Sequence, residues 1–328
     1  MSNLEPFRIL CLSGGGFRGL FTASFLTFLE REIGITDFRK HFQLIVGTST
    51  GALLASGLAC GVPPSALTLS FLDQGPHIFR RRSSFLHAAR MALGLGKYPH
   101  APLIKAIQEA IPEFWNKPIE SLDAPLAIVS LSRVTQKHRL FTAKPYTSTT
   151  TRTPLFLSIL ASAAAPTYFA EVQLDDDRLV DGGLVANAPV LLSAALALRH
   201  KRLVPQQSRI LHIGTAGQPA PENVRAPDGL VGRLKGLTGD LVTLTLAAQE
   251  KLAIDVASTW LPEQYLYVDV PQNLNFHPSL CELDDASEES VGQLQRCADE
   301  AWRHWKDHDA FRSFFPAPRP IFSERAAP

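Results

Sequence analysis

The feature that most constrains this chain is a serine between two glycines at the end of an apolar run. Residues 44–53 read Leu-Ile-Val-Gly-Thr-Ser-Thr-Gly-Ala-Leu, and further helix-forming residues follow. This order predicts a strand, a tight turn and a helix, the pattern called a nucleophile elbow. Glycines at 47 and 51 let the strand and the helix pass closely while Ser49 takes a strained backbone conformation. The pattern therefore predicts acyl transfer through Ser49, with Gly47 and Gly51 shaping the elbow.

Strands and helices are predicted to alternate along most of the chain. An apolar strand from Phe7 to Ser13 runs into three glycines, and apolar residues then recur at helical spacing over 17–32. The strand 42–46 leads into the elbow, and similar units continue to a last helix over 290–307. Without repeats or a clear linker, this alternation predicts one α/β domain with a mostly parallel sheet covered on both faces.

Composition excludes several classes of protein. The 328 residues carry a net charge of only +1, so no global field favours a nucleic acid polymer as a partner. The cysteines show neither a Cys-x-x-Cys pair nor a spacing typical of zinc sites, and they are Cys11, Cys60, Cys281 and Cys297. With no signal peptide at the N-terminus, we expect a reduced, cytoplasmic protein without a metal.

Two stretches bear on membrane contact. Residues 42–72 contain no charged side chain, but their glycines and Pro63-Pro64 fit a buried strand, elbow and helix better than a membrane-spanning helix. We therefore expect any membrane contact to be peripheral. Residues 75–101 mix basic and apolar side chains, which is typical of a lid, a membrane-surface element or a partner site, and equally of a solvated loop and surface helix.

The glycine-rich segment 14–19 has two interpretations. At the end of the first strand, the amides of Gly14, Gly15 and Gly16 can stabilise an oxyanion, and Arg18 adds a fixed cation. The same residues also match the dinucleotide-binding fingerprint, which requires an acidic residue that ends a second strand about 20 residues later. Asp37 is near in number but precedes Phe-Arg-Lys and ends no strand, so the oxyanion interpretation is favoured.

The general base has three candidates. His212, on a predicted strand, and His277, in a predicted loop, come late enough to complete a Ser-Asp-His order, but neither has a supporting motif. Asp181 lies at a strand end before two glycines, and a desolvated carboxylate there would gain the basicity that a general base requires.

Taken together, these segments resemble the patatin-like phospholipase family. The ordered motifs are Gly-Gly-Gly-x-Arg-Gly at 14–19, Gly-x-Ser-x-Gly at 47–51, the small-residue segment 161–169, and Asp-Gly-Gly at 181–183 followed by Asn-Ala-Pro at 187–189. The resemblance runs from about residue 9 to 189. One departure is Ser13, which stands where many members carry aspartate.

The resemblance implies a three-layer α/β/α sandwich that hydrolyses acyl esters of phospholipids with a Ser49-Asp181 dyad and no metal. It assigns the oxyanion loop to Gly14, Gly15, Gly16 and Arg18. We expect one such domain over residues 1–312 and a proline-rich tail over 313–328.

A narrower resemblance is to the bacterial antiphage (CBASS) effectors, in which a cyclic dinucleotide switches on a patatin-like lipase. It implies an activating ligand similar to 3′,3′-cGAMP, action on the inner face of the membrane, and a possible homo-oligomer. Its binding residues are unknown, with Arg80, Arg81, Arg82 and Lys97 as candidates for phosphate contacts. The alternatives are a constitutive lipid acyl hydrolase and a regulated binding protein with a vestigial elbow.

Overall fold

A computed structural model describes residues 5–80, 90, 93, 95–147, 151–201, 203–217, 230–270 and 282–315, with backbone alone at 201 and 230–240. Within these residues, strands of three to seven residues form one sheet. They are β1 Phe7–Leu12, β2 Leu44–Thr48, β3 Leu126–Ser132, β4 His138–Thr142, β5 Val172–Leu174, β6 Asp177–Asp181, β7 Ser208–Ile213 and β8 Tyr265–Val268.

The strand order is β5-β6-β3-β2-β1-β7-β8, and β4 also pairs with β3. Along the order β3-β2-β1-β7-β8, each strand is parallel to its neighbour. Strands β4 and β6 each pair antiparallel with β3, and β5 pairs antiparallel with β6. The mostly parallel sheet is therefore confirmed. The antiparallel end was not predicted, because β5 has only three residues and no apolar run marks it.

Helices cover both faces of this sheet. They are α1 Gly19–Phe28, α2 Thr50–Ala59, α3 Pro64–Ile78, α4 His100–Ala110, α5 Leu155–Ser162, α6 Gly183–Ala186, α7 Val190–Lys201, α8 Leu230–Trp260, α9 Glu288–Trp305 and α10 Asp309–Arg312. None of these helices is both long and apolar enough to cross a bilayer.

Alternate residues of the central strands pack into two cores. In β1, Leu10 and Leu12 face the larger core beneath helices α1 to α5, α9 and α10. Ile9 and Cys11 face the smaller core beneath α6, α7 and α8. Successive side chains of a strand point to opposite faces, so a strand buried on both sides reads as a continuous apolar run. The predicted three-layer α/β/α sandwich is confirmed.

The start of the predicted tail packs against the larger core. Phe314 and Phe315 are buried, and both rings contact Phe42. Residues 316–328 lie outside the described residues, and the division into a domain and a tail stays a prediction.

Candidate active site

The predicted elbow lies between β2 and α2, with Ser49 at its tip. Ser49 has φ 55° and ψ −123°, a region that a residue with a side chain enters at a cost of about 1–3 kcal/mol. A Cβ atom on Gly47 would lie 2.1 Å from the Gly51 carbonyl oxygen, and one on Gly51 would lie 2.3 Å from that of Leu12. Neither position has room for a side chain, which explains why glycine occupies both.

The register of the sheet brings Ser49 and Asp181 together. Thr48, the last residue of β2, pairs with Val129 of β3, and Asp181, the last residue of β6, pairs with the next residue, Ser130. Two strands therefore end at successive positions of β3. The Ser49 hydroxyl interacts with the Asp181 carboxylate and lowers its pKa.

The environment of Asp181 makes its carboxylate unusually basic. The residue is only 3% exposed, and burial raises its pKa to about 7 from an ordinary value of 3.8. Hydrogen bonds from the Gly183 amide, 2.7 Å from Oδ1, and from the Ser49 hydroxyl lower the pKa without offsetting burial. A carboxylate with a pKa near neutrality can take a proton from a serine during catalysis.

The small-residue segment 161–169, which begins in the last turn of α5, supports both members of this pair. The Ser49 amide donates to the Ser162 hydroxyl at 2.8 Å, and that hydroxyl donates to the Val129 carbonyl at 2.5 Å. The Asp181 amide donates to the Ala164 carbonyl at 2.9 Å. The role of Ser162 was not predicted from the sequence, because nothing in the pattern distinguishes this serine from its small neighbours.

The glycine loop after β1 lies beside Ser49. A Cβ atom on Gly14 would lie 3.1 Å from Ser49 Cβ, and the Gly14 amide donates to the Asn187 carbonyl at 3.0 Å. In the described part of the chain, the amides of Gly15 and Gly16 have no acceptor, so they are available to an oxyanion. The Gly14 amide would be available only after its bond to Asn187 broke.

Arg18 ends the 3₁₀ turn Gly16–Arg18 that joins the loop to α1. Its amide donates to the Gly15 carbonyl at 3.1 Å, which fixes the turn. Its charge lowers the pKa of Glu250 and of Asp269, although burial of those two carboxyls raises their pKa values overall. Its buried Nε has no hydrogen-bond partner among the described residues. A direct part for Arg18 in the oxyanion site stays a prediction.

His212 is buried and already has hydrogen-bond partners, so it is not free to act as a base. It is fully buried on β7, with Nε2 2.8 Å from the Ser13 hydroxyl and Nδ1 2.8 Å from the Tyr265 hydroxyl. Burial lowers its pKa to about 3. The structure thus gives His212 two partners other than Ser49 or Asp181, while His277 lies outside the described residues.

The remaining sequence candidates are placed as follows. Asp37 begins the 3₁₀ turn Phe38–Lys40 and pairs with Arg39, so it does not end a strand as the dinucleotide fingerprint requires. Lys97 pairs with Asp284, and Arg80 is exposed. Arg81, Arg82 and several neighbouring residues of the basic segment 75–101 lie outside the described residues. In the part of the chain that is described, no group of three or more His, Cys, Asp or Glu side chains could hold a metal ion.

Comparison with known proteins gives one family for the chain. The sequence profile described as "Patatin-like phospholipase" matches residues 10–193. A "cGAMP-activated phospholipase" of Pseudomonas aeruginosa is 33% identical, over 82% of this chain and 80% of the relative. A protein of the same name from Escherichia coli is 32% identical, over 96% and 94%. A "cUMP-AMP-activated phospholipase" of Escherichia coli is 26% identical, over 80% and 79%.

The family profile covers more than half of the chain, and its range contains the elbow, the glycine loop and Asp181. The two relatives above 30% identity each cover more than two thirds of it. This chain belongs to the patatin-like phospholipase family.

Proposed function

We propose that this protein hydrolyses phospholipid acyl esters with Ser49 as nucleophile and Asp181 as general base. One observation carries the proposal: Ser49, at the tip of a strained elbow, interacts with a buried carboxylate whose pKa is about 7. Membership in the family supports the reaction class. The residue roles rest on the geometry.

In the first half of the reaction, Ser49 Oγ attacks the ester carbonyl carbon and its proton passes to Asp181. The carbonyl electron pair moves onto oxygen, where the amides of Gly15 and Gly16 stabilise the negative charge. The tetrahedral intermediate then collapses and breaks the bond to the leaving alcohol. That alcohol takes the proton from Asp181 and departs as a lysophospholipid, leaving an acyl group on Ser49.

In the second half, water attacks the acyl carbon and Asp181 accepts a proton from it. The same amides stabilise the second oxyanion, and collapse returns the proton to Ser49 and releases a fatty acid. One carboxylate thus alternates between base and acid. The free enzyme must therefore hold Asp181 ionised, which the pKa of about 7 permits at neutral pH.

We propose further that a cyclic dinucleotide similar to 3′,3′-cGAMP switches the enzyme on. The support is that three relatives, each matching at least 80% of this chain, are named for activation by such a ligand. One of them is named for cUMP-AMP, so the bases of the activator differ within this group.

The substrate would be reached at a membrane surface. Leu241, Leu244 and Leu252 on α8 are each more than 60% exposed. The same helix carries Glu250, whose carboxylate accepts a hydrogen bond from Asn187 beside the glycine loop. We therefore propose that this part of α8 lies on the inner face of the membrane, peripheral to it, with the protein in the cytoplasm. A homo-oligomer stays a prediction.

The test measures fatty acid release from phospholipid vesicles by the wild type and Ser49→Ala, each with and without 3′,3′-cGAMP or cUMP-AMP. We expect release only from the wild type with one of the nucleotides. Release without nucleotide that is lost in Ser49→Ala would keep the hydrolase and replace the switch by constitutive lipid turnover. Equal release by both proteins would refute the role of Ser49.

The membrane contact has its own control. Leu244→Glu should lose vesicle hydrolysis while keeping hydrolysis of a soluble short-chain ester, since only the former needs docking. Leu69→Glu on α3, across the sheet and 66% exposed, should keep both. Unchanged vesicle hydrolysis by Leu244→Glu would contradict the proposed orientation.

A further inference from the structure

A short segment far along the chain packs against the glycine loop. This segment, residues 282–285, is called the strap below. Its Leu283 carbonyl accepts a hydrogen bond from the Phe17 amide at 2.8 Å. Gly16 has φ 57°, and a Cβ atom on it would lie 2.2 Å from the same carbonyl oxygen. The strap therefore contacts the glycine loop at Gly16, which carries one of the two available amides, and at the next residue, Phe17.

Asp284 anchors the strap. The Tyr98 hydroxyl donates to Asp284 Oδ2 at 2.6 Å, and the Lys97 ammonium pairs with the same oxygen. The Asp284 side chain is only 7% exposed, whereas that of Lys97 is 36% exposed. Charge-assisted hydrogen bonds to a shielded carboxylate are stronger than those between surface groups, so this anchor fixes the strap in place.

The anchor is tied to the segment that supports Asp181. The amides of Lys97 and Tyr98 donate to the carbonyls of Thr167 and Tyr168 at 2.8 and 2.7 Å. A few residues earlier on that segment, the Ala164 carbonyl accepts the Asp181 amide. Tyr98 is held further by edge-on contact with Phe79, which also packs edge-on against Phe17. The strap thus joins the loop to the side of the site that holds the base.

We propose that Asp284 is a positioning residue for ester hydrolysis, an inference that rests on the proposed function. Through Lys97 and Tyr98 it holds the Leu283 carbonyl against Phe17, and so holds the amides of Gly15 and Gly16 where the oxyanion forms. Asp284 itself touches neither Ser49 nor the substrate. An oxyanion site loses efficiency when its donors shift by about 1 Å, because their electrostatic stabilisation depends on prior orientation.

The test compares Asp284→Asn with Glu30→Gln on a soluble ester, with the activating nucleotide present. The first change keeps the size of the side chain and removes its charge. Glu30 is the matched control, because its carboxylate also accepts two hydrogen bonds, from the Ser65 amide and hydroxyl, in the π-helical turn Leu29–Ile33 that follows α1. We expect Asp284→Asn to lower kcat about 10- to 100-fold with KM within about 2-fold, and Glu30→Gln to lower Tm without changing kcat.

Two further variants separate positioning from general loss of stability. Tyr98→Phe removes one of the two contacts to Asp284 and should lower kcat less than Asp284→Asn does. The double variant should be no slower than Asp284→Asn alone, because Tyr98 acts through the carboxylate. Additive losses in kcat would contradict this.

The same proteins are then treated with a fluorophosphonate. Ser49 Oγ bonds to phosphorus, fluoride leaves, the serine proton passes to Asp181, and the phosphoryl oxygen occupies the oxyanion site. The labelling rate should fall in parallel with kcat. If the wild type is labelled and Asp284→Asn is labelled at a rate within about 2-fold of it, the inference about Asp284 is wrong and the proposed function stands. A wild type that neither reacts nor hydrolyses would overturn the proposed function and the inference with it.

Discussion

Ser13 and Ser49 follow neighbouring parallel strands, but they differ in whether they can act as a nucleophile. Ser13 follows β1 and has a histidine nitrogen 2.8 Å from its hydroxyl, the contact expected of a serine hydrolase. Ser49 follows β2 and has a carboxylate as its partner. Judged by partners alone, Ser13 would be the nucleophile.

Backbone conformation and access reverse that judgement. Ser13 is completely buried and has negative φ, and its partner His212 is fully buried with a pKa of about 3. Ser49 is half-buried, with φ 55° at the tip of the elbow. A nucleophile must meet its substrate and give up its proton, so the strained and accessible Ser49 beside Asp181, the stronger base of the two, is the better catalyst.

The buried pair has a structural role instead. Ser13 also interacts with Glu250 and lowers its pKa, and Glu250 accepts the Asn187 side-chain amide at 2.8 Å. The same amide is 3.3 Å from the Gly14 carbonyl. The network around Ser13 therefore ends on the glycine loop beside Ser49.

The largest expected effect comes from removing the Ser49 hydroxyl, and removing the Ser13 hydroxyl is the contrast. Ser49→Ala should lower kcat by a factor on the order of 10⁶, because the reaction loses its nucleophile. Ser13→Ala should lower kcat by less than about 10-fold, because it only loosens the loop. Fatty acid release at saturating nucleotide measures both. Similar losses in the two variants would remove the contrast between the serines.

The next effect contrasts the two partners. Asp181→Asn should lower kcat on the order of 10⁴-fold or more, and the double variant with Ser49→Ala should be no slower than Ser49→Ala alone, because the two act as a unit. His212→Gln should cost about 1–3 kcal/mol of stability, since it disturbs a buried hydrogen-bonded network, with kcat within about 10-fold. Urea unfolding and turnover of one preparation separate these outcomes, and a large kcat loss in a stable His212→Gln protein would make His212 the base.

The pH profile sharpens the same contrast. Burial raises the pKa of Asp181 to about 7, so below that pH the carboxyl carries a proton and cannot accept one from Ser49. The kcat/KM for a soluble ester should therefore fall about tenfold for each pH unit below 7 and level off above it. A base with the pKa of His212, about 3, would instead give a flat profile between pH 5 and 8.

The smallest expected effect is on stability. Ser49→Gly should unfold with a free energy about 1 kcal/mol higher than Ser49→Ala, because glycine relieves the positive φ while alanine keeps the strain. At Ser13, where φ is negative, the glycine variant should be less stable than the alanine variant. Urea denaturation of the four proteins measures both differences, and the same ranking at the two sites would contradict the strained elbow.

Much of the fold followed from local pattern. The elbow, the glycine loop and the sheet buried on both faces each depend on residues close in sequence, such as the apolar run 44–46 before Gly47. The alternation of strands and helices then favoured parallel pairing. The antiparallel end was missed because β6 pairs with β3 far away in sequence, and the short β5 joins the sheet only through β6.

The candidate site was partly visible for the same reason. Ser49 follows a parallel strand, where such sheets place their sites, and Asp181 ends the antiparallel strand β6 before two glycines, so a local pattern could find both. Ser162 and Leu283 could not be found, because each acts through one hydrogen bond to a residue more than a hundred positions away. The side chain of Leu283 does not indicate that its backbone carbonyl will hydrogen-bond to the residue after the glycine loop.

The most direct test of the choice between the two serines is the position of a covalent label. The wild-type protein is treated with a fluorophosphonate in the presence of the activating nucleotide, digested, and analysed by tandem mass spectrometry. The account predicts a single adduct on Ser49, absent from Asp181→Asn at the same exposure and retained in His212→Gln. An adduct on Ser13, or one on Ser49 that forms at the wild-type rate without Asp181, would contradict it.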